Sequence, residues 1–244
     1  MNPRHPLSKP ARPVVNGLTL GVLMLDTRFV RFPGEIGNGL TWPVALQFKV
    51  VKGATPARVI DDEGAGLLEP FIEAARELID LGVQGITTSC GFLALFQREL
   101  SEALPVPVAT SSLLQVPIVE RMLPKGKRVG ILTINERALT DRHLAAVGVD
   151  ATTPIVGMHE HSLFRKAFTD QALPSAADFS VLEREMVDAA RRLTASHPEV
   201  GAIVCECTNM PPFAPALRAA TGLPVFDMVG LIRWFVAAIQ SHAA

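Results

Sequence analysis

The sequence predicts an α/β fold made of two pseudo-symmetric lobes, each with a parallel sheet. Apolar runs typical of buried strands alternate with amphipathic helical segments, the order expected when helices connect parallel strands. The chain also matches itself without a gap at a shift of 117 residues. Identical pairs at this shift include Val83/Val200, Ile86/Ile203, Cys90/Cys207, Phe96/Phe213, Leu100/Leu217, Ala103/Ala220, Pro107/Pro224 and Val108/Val225. We interpret the match as the duplication of a unit that runs strand, cysteine, helix, strand.

The first half of the chain begins with a strand and a long loop. Residues 18–25 form a continuous apolar run, as expected of a parallel strand buried on both faces. Loop 26–43 contains three glycines, but no helix pattern follows it, which argues against a dinucleotide-binding loop. A strand over 44–51 and an amphipathic helix over 67–79 come next, and we expect the helix to stop at Gly82.

The second half repeats the opening of the first. A shift of 109 residues places Gly21 on Gly130 and Asp26 on Asn135, so a strand and a helix restart at about residue 125. The other expected elements are a helix over 111–123, a helix over 181–193, a strand over 223–226 and an apolar terminal helix. The predicted domains are a flexible N-terminal arm over 1–17, a first lobe over 18–112 plus 226–244, and a second lobe over 113–225.

Composition and charge leave small molecules or proteins as the expected partners. The 244 residues carry 23 basic and 24 acidic side chains, a balance that favours neither nucleic acid nor an anionic membrane. The N-terminal residues lack the apolar core of a signal peptide, and the late apolar stretch 227–240 is too short to span a bilayer. Three cysteines, two of them separated by one residue, are not typical of a secreted disulfide framework. We therefore expect a cytoplasmic protein.

The duplicated cysteines, Cys90 and Cys207, each follow a predicted strand and precede a helix. Ligands of open parallel sheets bind beyond the carboxyl ends of the strands, where these cysteines are placed. The N-terminus of the following helix is expected to lower the thiol pKa and to offer N–H groups to a carboxylate. Two facing lobes would hold one thiol on each side of a bound molecule. One thiolate removing a proton and the other thiol returning one from the opposite face is what stereoinversion requires.

The motifs around these cysteines, TTSCGF and CECTNMPP, resemble the aspartate/glutamate/hydantoin racemase superfamily in their spacing and half-repeats. The resemblance covers nearly all of residues 18–240. It implies two Rossmann-like lobes related by a pseudo-twofold axis, with the active site in the cleft between them. It also implies a racemase or epimerase of amino acids or related compounds that uses no metal, pyridoxal phosphate or other cofactor. Carried over by position, Cys90 and Cys207 are its catalytic residues, and a homodimer is expected.

Residues beside the cysteines and at the first strand end of each lobe are expected to bind a small carboxylate or amino-acid-like substrate. Gly91 and Phe92 stand where aspartate and glutamate racemases usually have Asn and Thr, and Asn209 stands where they have His. These departures remove polar contacts expected for an acidic amino acid, and stretch 53–63 resembles the hydantoin-racemase branch instead. The expected substrate-binding residues are Asp26, Ser89, Gly91, Phe92, Thr133, Asn135, Thr208 and Asn209.

Other functions and roles stay open at this point. The same superfamily fold supports decarboxylases and cis–trans isomerases of small dicarboxylates, and a homologue without turnover would only bind a small ligand. Cys205 has Thr88 as its counterpart at the 117-residue shift, so we expect a structural role for it. No CxxC motif or histidine cluster accompanies Cys205, which argues against a metal site. Glu206 and Ser89 either orient the cysteines or pack at strand ends.

Two loops are expected to determine substrate specificity. In loop 26–43, the aromatic residues Phe29, Phe32 and Trp42 either cover the cleft as an apolar lid or anchor the loop on the core. In loop 157–178, the segment His159–His161 is either solvated or part of the cleft.

Overall fold

The computed structural model describes residues 14–169 and 179–239. Residues 1–13 of the predicted arm, residues 170–178 of the second specificity loop and residues 240–244 lie outside the described residues. Within the described chain, no helix is long and apolar enough to cross a membrane.

Two four-stranded sheets organise the described chain, and every strand pairing in them is parallel. The strands are β1 (Leu20–Met24), β2 (Leu46–Val50), β3 (Gly85–Thr88), β4 (Val108–Ala109), β5 (Arg128–Thr133), β6 (Ile155–Gly157), β7 (Val200–Cys205) and β8 (Val225–Phe226). The strand order is β2-β1-β3-β4 in the first lobe and β6-β5-β7-β8 in the second. The two halves therefore have the same topology, and the predicted α/β fold of two lobes is confirmed.

Helices and short 3-10 turns connect the strands. The helices are α1 (Pro56–Ile60), α2 (Leu68–Leu81), α3 (Gln97–Ala103), α4 (Val116–Met122), α5 (Asp141–Ala146), α6 (Leu163–Phe168), α7 (Phe179–Ser196), α8 (Ala214–Thr221) and α9 (Met228–Ile239). Helix α2 ends at Gly82, which has a left-handed conformation with φ of 118°, as expected of a helix stop. The duplicated unit is preserved, because α3 and α8 begin 117 residues apart, and so do β4 and β8.

Strand β1 is apolar along its whole length because both faces of its sheet are covered. On one face, Leu23 packs in a cluster that includes Phe71 and Leu78 of α2. On the other face, Leu20 and Val22 pack with residues of the terminal helix α9. The chain thus returns to the first lobe after completing the second. The domain boundaries and the homodimer stay predictions.

Candidate active site

The segments that follow β3 and β7 meet at one small cavity, which we call the cysteine cavity. Ser89, Cys90 and Gly91 line it from the first lobe, and Glu206 and Cys207 line it from the second. Phe92, Thr208 and Asn209 also line it. Its volume is about 30 Å³, which is about the space of one water molecule. The two predicted catalytic cysteines are therefore brought together at the carboxyl ends of two parallel sheets.

Buried hydrogen bonds hold the two cysteine segments together. The Thr208 hydroxyl donates to the Ser89 carbonyl oxygen at 2.6 Å, and the Ser112 hydroxyl donates to the Cys205 carbonyl oxygen at 2.6 Å. The Ser89 hydroxyl oxygen accepts from the Leu25 N–H at 2.9 Å and so ties β1 to the same place. Much of the hydrogen-bonding capacity of Ser89 and Thr208 is thus used inside the protein.

Cys90 caps the 3-10 turn Gly91–Phe96. The backbone N–H groups of Phe92 and Leu93 donate toward its sulfur and lower the thiol pKa, as expected for the start of a helix. However, burial and then the charge of Glu206 act in the opposite direction and are stronger, and they raise the pKa of Cys90 to about 12. The expectation that the helix start produces a thiolate near neutral pH is wrong for this site, because burial outweighs a few N–H dipoles.

Cys207 has a similar environment. Burial, then the charge of Glu206, and also the nearby Cys90, raise the pKa of the Cys207 thiol well above its usual range. Asn209 opposes this shift, because its backbone N–H and its side-chain Nδ2 both donate to the sulfur, the latter at 3.6 Å. The side-chain oxygen of Asn209 is buried and has no hydrogen-bond partner among the described residues.

Glu206 is completely buried between the two cysteines. Its Oε2 accepts a hydrogen bond from the Thr133 hydroxyl at 2.8 Å, and the Ile134 N–H also donates to the carboxylate. Burial nevertheless dominates and raises the pKa of Glu206 to about 7. Its Oε1 has no hydrogen-bond partner among the described residues. The sequence placed Glu206 beside Cys207, but only the structure shows that Glu206 lines the same cavity as both cysteines and that its Oε1 lies against Gly91.

Gly91 makes room for this carboxylate. A Cβ atom at position 91 would collide with Oε1 and with the backbone oxygen of Glu206. The sequence motif by itself indicates that Gly91 removes a polar contact to substrate. In the structure, the missing side chain is the condition for placing Glu206 at the cavity.

Three predicted substrate-binding residues, Asp26, Thr133 and Asn135, do not line the cysteine cavity. Asp26 lies at the end of the first strand, where its Oδ2 accepts from the Gly53 N–H at 3.2 Å. Thr133 contacts Glu206 instead of open space. Asn135 is buried next to it, and its backbone N–H donates to the Thr133 hydroxyl.

Loop 26–43 contributes three cavity residues, namely Thr27, Phe29 and Arg31. Arg31 donates to Glu35 Oε1 at 2.5 Å and to the Thr27 hydroxyl at 2.8 Å, and its guanidinium lies 4.6 Å from the centre of the Phe29 ring. Phe29 packs edge-on against Phe168, which also lines the cavity. Arg31 and Phe168 were missed because no motif or periodicity marks either residue.

The aromatic residues of this loop have different roles. Phe29 lines the cavity, whereas Phe32 packs against Phe213 of the second lobe and Trp42 donates from Nε1 to the Ile36 carbonyl oxygen. The loop is thus anchored at Phe32 and Trp42, and a lid role for Phe29 stays a prediction. The segment His159–His161 is exposed and does not line the cavity.

Cys205 is a core residue. Its side chain is completely buried and does not line the cysteine cavity. Among the described residues, no group of three or more His, Cys, Asp or Glu side chains is arranged to hold a metal ion.

Comparison with known proteins assigns the chain to a family, although no family model matches it. It is 30% identical to a dimethylsulfoniopropionate lyase of Durusdinium sp. clade D, over 92% of this chain and 76% of that protein. It is also 30% identical to dimethylsulfoniopropionate lyase 7 of Emiliania huxleyi (strain CCMP1516), over 92% of this chain and 68% of that protein. The chain belongs to the dimethylsulfoniopropionate lyase family.

Solved structures show which fold this member of the dimethylsulfoniopropionate lyase family adopts. Allantoin racemase from Klebsiella pneumoniae superposes with a TM-score of 0.62 at 16% identity, covering 90% of this chain and 86% of that one. Glutamate racemase RacE1 from Bacillus anthracis gives 0.60 at 14% identity, covering 91% and 80%. Unliganded arylmalonate decarboxylase gives 0.59 at 16% identity, covering 93% and 94%. The chain therefore has the fold that these two racemases and this decarboxylase share, and the sequence motifs indicated such a fold.

The expected reaction class is corrected by the family. The sequence motifs predicted a racemase or epimerase, an isomerase, and this prediction is wrong, because the relatives across most of the chain are lyases. The alternative prediction, a decarboxylase on the same fold, agrees better with the relatives, since decarboxylases are also lyases. The motifs predict the fold and the positions of two thiols. This fold and this pair of thiols are compatible with an isomerase and with a lyase.

The buried carboxyls of this member of the dimethylsulfoniopropionate lyase family predict a pH-dependent stability. Burial raises the pKa of Glu206 from 4.5 to about 7, so the folded chain keeps this proton where the unfolded chain has lost it. Stability should therefore fall as pH rises from about 4.5 to about 7, by up to about 3 kcal/mol from this residue. Urea unfolding of the wild type and Glu206→Gln across this interval measures the effect. We expect a smaller downward slope in the variant, and equal slopes would contradict the shifted pKa.

Proposed function

We propose that the protein is a lyase that cleaves dimethylsulfoniopropionate by elimination, with a cysteine thiolate as the base. The observation that carries the proposal is the 30% identity to dimethylsulfoniopropionate lyases over 92% of the chain. The substrate has a carboxylate at one end. The α-carbon beside the carboxylate carries the hydrogen to be removed, and the β-carbon carries the dimethylsulfonium cation. In the proposed reaction, a base removes a proton from the carbon beside the carboxylate. The C–H electrons form the C=C bond, the C–S bond breaks, and dimethyl sulfide and acrylate are released.

The charges around the cysteine cavity fit a substrate with one positive and one negative end. Arg31 is a cationic side chain in the wall; it is already paired with Glu35, and we propose that it shares its charge with the substrate carboxylate. Asn209 Oδ1 is a buried acceptor without a donor among the described residues, and its negative potential suits a sulfonium cation, which has no N–H to donate. The ring of Phe92 adds an aromatic surface of the kind that binds cations. A dicarboxylate would bring a second negative charge to the Glu206 side, which argues against the dicarboxylate alternative.

Elimination moves one proton, so one thiol is sufficient as the base. We assign this role to Cys207, because Asn209 donates to its sulfur from both backbone and side chain and would stabilise the thiolate. Cys90 lies in the same cavity and is assigned to contact with substrate as a thiol, because elimination needs only one base. Thr208 and Ser89 hold the two segments in register.

The cavity is too small for this substrate as it stands, so the proposal includes an opening movement. Phe29 and Arg31 belong to loop 26–43 and line the cavity. We propose that this part of the loop moves away when substrate enters and then closes, excluding water from the thiolate.

The test is incubation of the purified protein with dimethylsulfoniopropionate. We expect dimethyl sulfide, measured by gas chromatography, and acrylate in equal amounts. Substrate deuterated beside the carboxylate should react more slowly if proton removal limits the rate. Enantiopure aspartate, glutamate and a hydantoin serve as controls and should not be inverted. Failure to release dimethyl sulfide under conditions where the substrate binds would reject the proposed function.

A further inference from the structure

Glu206 has one carboxylate oxygen that the fold leaves unused. Oε2 is held by the Thr133 hydroxyl and by the Ile134 N–H, whereas Oε1 is buried without a partner among the described residues. A buried carboxylate oxygen that lacks a donor costs free energy. Its position at a cavity lined by two cysteines gives it a chemical use, which is to accept a proton.

The surroundings of Glu206 direct this oxygen to the thiols. The space that a side chain at Gly91 would fill is occupied by the Glu206 carboxylate, so Oε1 lies against the segment that carries Cys90. Cys207 is the next residue in the chain. The negative charge of Glu206 raises the pKa of Cys90 and Cys207, and also that of the buried Cys205, whereas no other charged side chain of the described residues shifts the pKa of Glu206 itself.

We propose that Glu206 accepts the thiol proton of Cys207 when substrate binds, so that the thiolate exists only in the loaded site. This inference rests on the proposed lyase function. Glu206 acts through Cys207 and is a positioning and proton-accepting residue, not a group that attacks the substrate.

The proton and charge balance of this step is simple. The S–H proton of Cys207 moves to Glu206 Oε1, giving a thiolate and a neutral carboxyl. The thiolate then takes the proton beside the substrate carboxylate, the C=C bond forms, and the C–S electrons leave with neutral dimethyl sulfide. Cys207 is again a thiol, and Glu206 releases its proton to solvent after acrylate departs. One proton is produced for each sulfonium consumed.

The transfer needs no additional buried charge. Before and after it, the site holds one negative group, which moves from oxygen to sulfur. Ionising a thiol directly to solvent in the empty site would instead place a second negative charge beside Glu206, which burial strongly disfavours. A sulfonium cation beside the sulfur favours the new position of the charge. Glu206 therefore explains how thiols with raised pKa can supply a base.

The decisive variant is Glu206→Gln, which keeps the size and the Thr133 contact but cannot accept the proton. We expect kcat to fall by at least about 100-fold with KM changed much less. In the wild type, kcat/KM should rise with pH around the pKa of Glu206, about 7. The variant should lack this rise. In contrast, its thiols should ionise at lower pH, because the neighbouring negative charge is gone. Thiolate absorbance in a pH titration of the unliganded protein measures this second effect.

Thr133→Val provides the matched control, because it keeps the carboxylate and removes only a donor to it. Its pH profile should retain the rise but move it to higher pH, and Thr133→Ser should restore the wild-type position. A purely structural role for Glu206 predicts lower activity without any change in the pH profile, and that result would overturn the proposal. So would a Glu206→Gln variant with activity within about threefold of the wild type.

The titration separates this inference from the proposed function. If the wild type does not cleave dimethylsulfoniopropionate, the lyase assignment fails, and the thiolate titration still tests the coupling of Glu206 to the thiols. A titration that is unchanged in Glu206→Gln would then overturn the inference. A downward shift would support the contact between carboxylate and thiols.

Discussion

Cys207→Ala is expected to reduce kcat for dimethylsulfoniopropionate cleavage by about 10²–10⁴-fold, because it removes the proposed base. Substrate binding should be affected much less, since the charged ends of the substrate contact other residues. Steady-state release of dimethyl sulfide, with KM and kcat determined separately, measures both effects. Circular dichroism and urea unfolding establish that the variant is folded.

Cys205→Ala is the matched control for this variant. Cys205 lies two residues earlier, at the end of β7, is also buried and does not line the cysteine cavity. It should keep wild-type kcat within about threefold, with a modest loss of stability from the smaller side chain. Cys90→Ala should retain measurable turnover, because one thiol is sufficient for elimination. Wild-type activity in Cys207→Ala, or complete loss in Cys90→Ala alone, would reverse the assignment of the base.

Gly91→Ala is expected to lower activity by at least about 100-fold and to destabilise the fold by about 1–3 kcal/mol. The added methyl group would occupy the position of the Glu206 carboxylate, which cannot retreat because its backbone oxygen is also in contact. Either the carboxylate or the turn after Cys90 must shift. Lyase assays and urea unfolding measure the two effects, and the pH dependence of activity should be altered along with the rate.

Gly39→Ala is the control for the added methyl group. Gly39 lies in loop 26–43, and a Cβ atom there would meet nothing within 4 Å. This variant should keep both activity and stability close to those of the wild type. If Gly91→Ala behaves like Gly39→Ala, Glu206 does not need its observed position.

Much of the fold was predictable from the sequence. The continuous apolar run of β1 follows from a sheet covered on both faces, and the 117-residue shift predicted that β4 and β8 occupy equivalent places. The spacing of apolar residues predicts the strands and helices, because the buried face of each element must be apolar. The convergence of Cys90 and Cys207 was also predictable, because both lie at the carboxyl ends of equivalent strands.

The candidate site was predictable only in part. Glu206 and Ser89 were singled out by their positions before the cysteines, but their roles depend on contacts with Thr133, Gly91 and Leu25, which are distant in the chain. Arg31 lies in an irregular loop, and no pattern in the sequence distinguishes it from other surface arginines.

The wrong reaction class has a chemical reason. Removing a proton beside a carboxylate begins both a racemisation and an elimination, and the outcome depends on whether the substrate carries a leaving group on the next carbon. Two thiols at strand ends are therefore compatible with either reaction, and similarity over the whole chain was needed to distinguish them. A motif that identifies the base does not identify the substrate.

The amino-acid sequence by itself determined the two-lobe α/β architecture and the meeting of two cysteines, because apolar periodicity and duplication are properties of the chain order. Only the tertiary structure decided the protonation of the site. Burial keeps both thiols protonated, and Gly91 leaves the space in which Glu206 reaches them. The raised thiol pKa values and the position of the Glu206 carboxylate depend on residues that are distant in the chain and bury one another away from water. No local pattern of residues in the sequence predicts this burial.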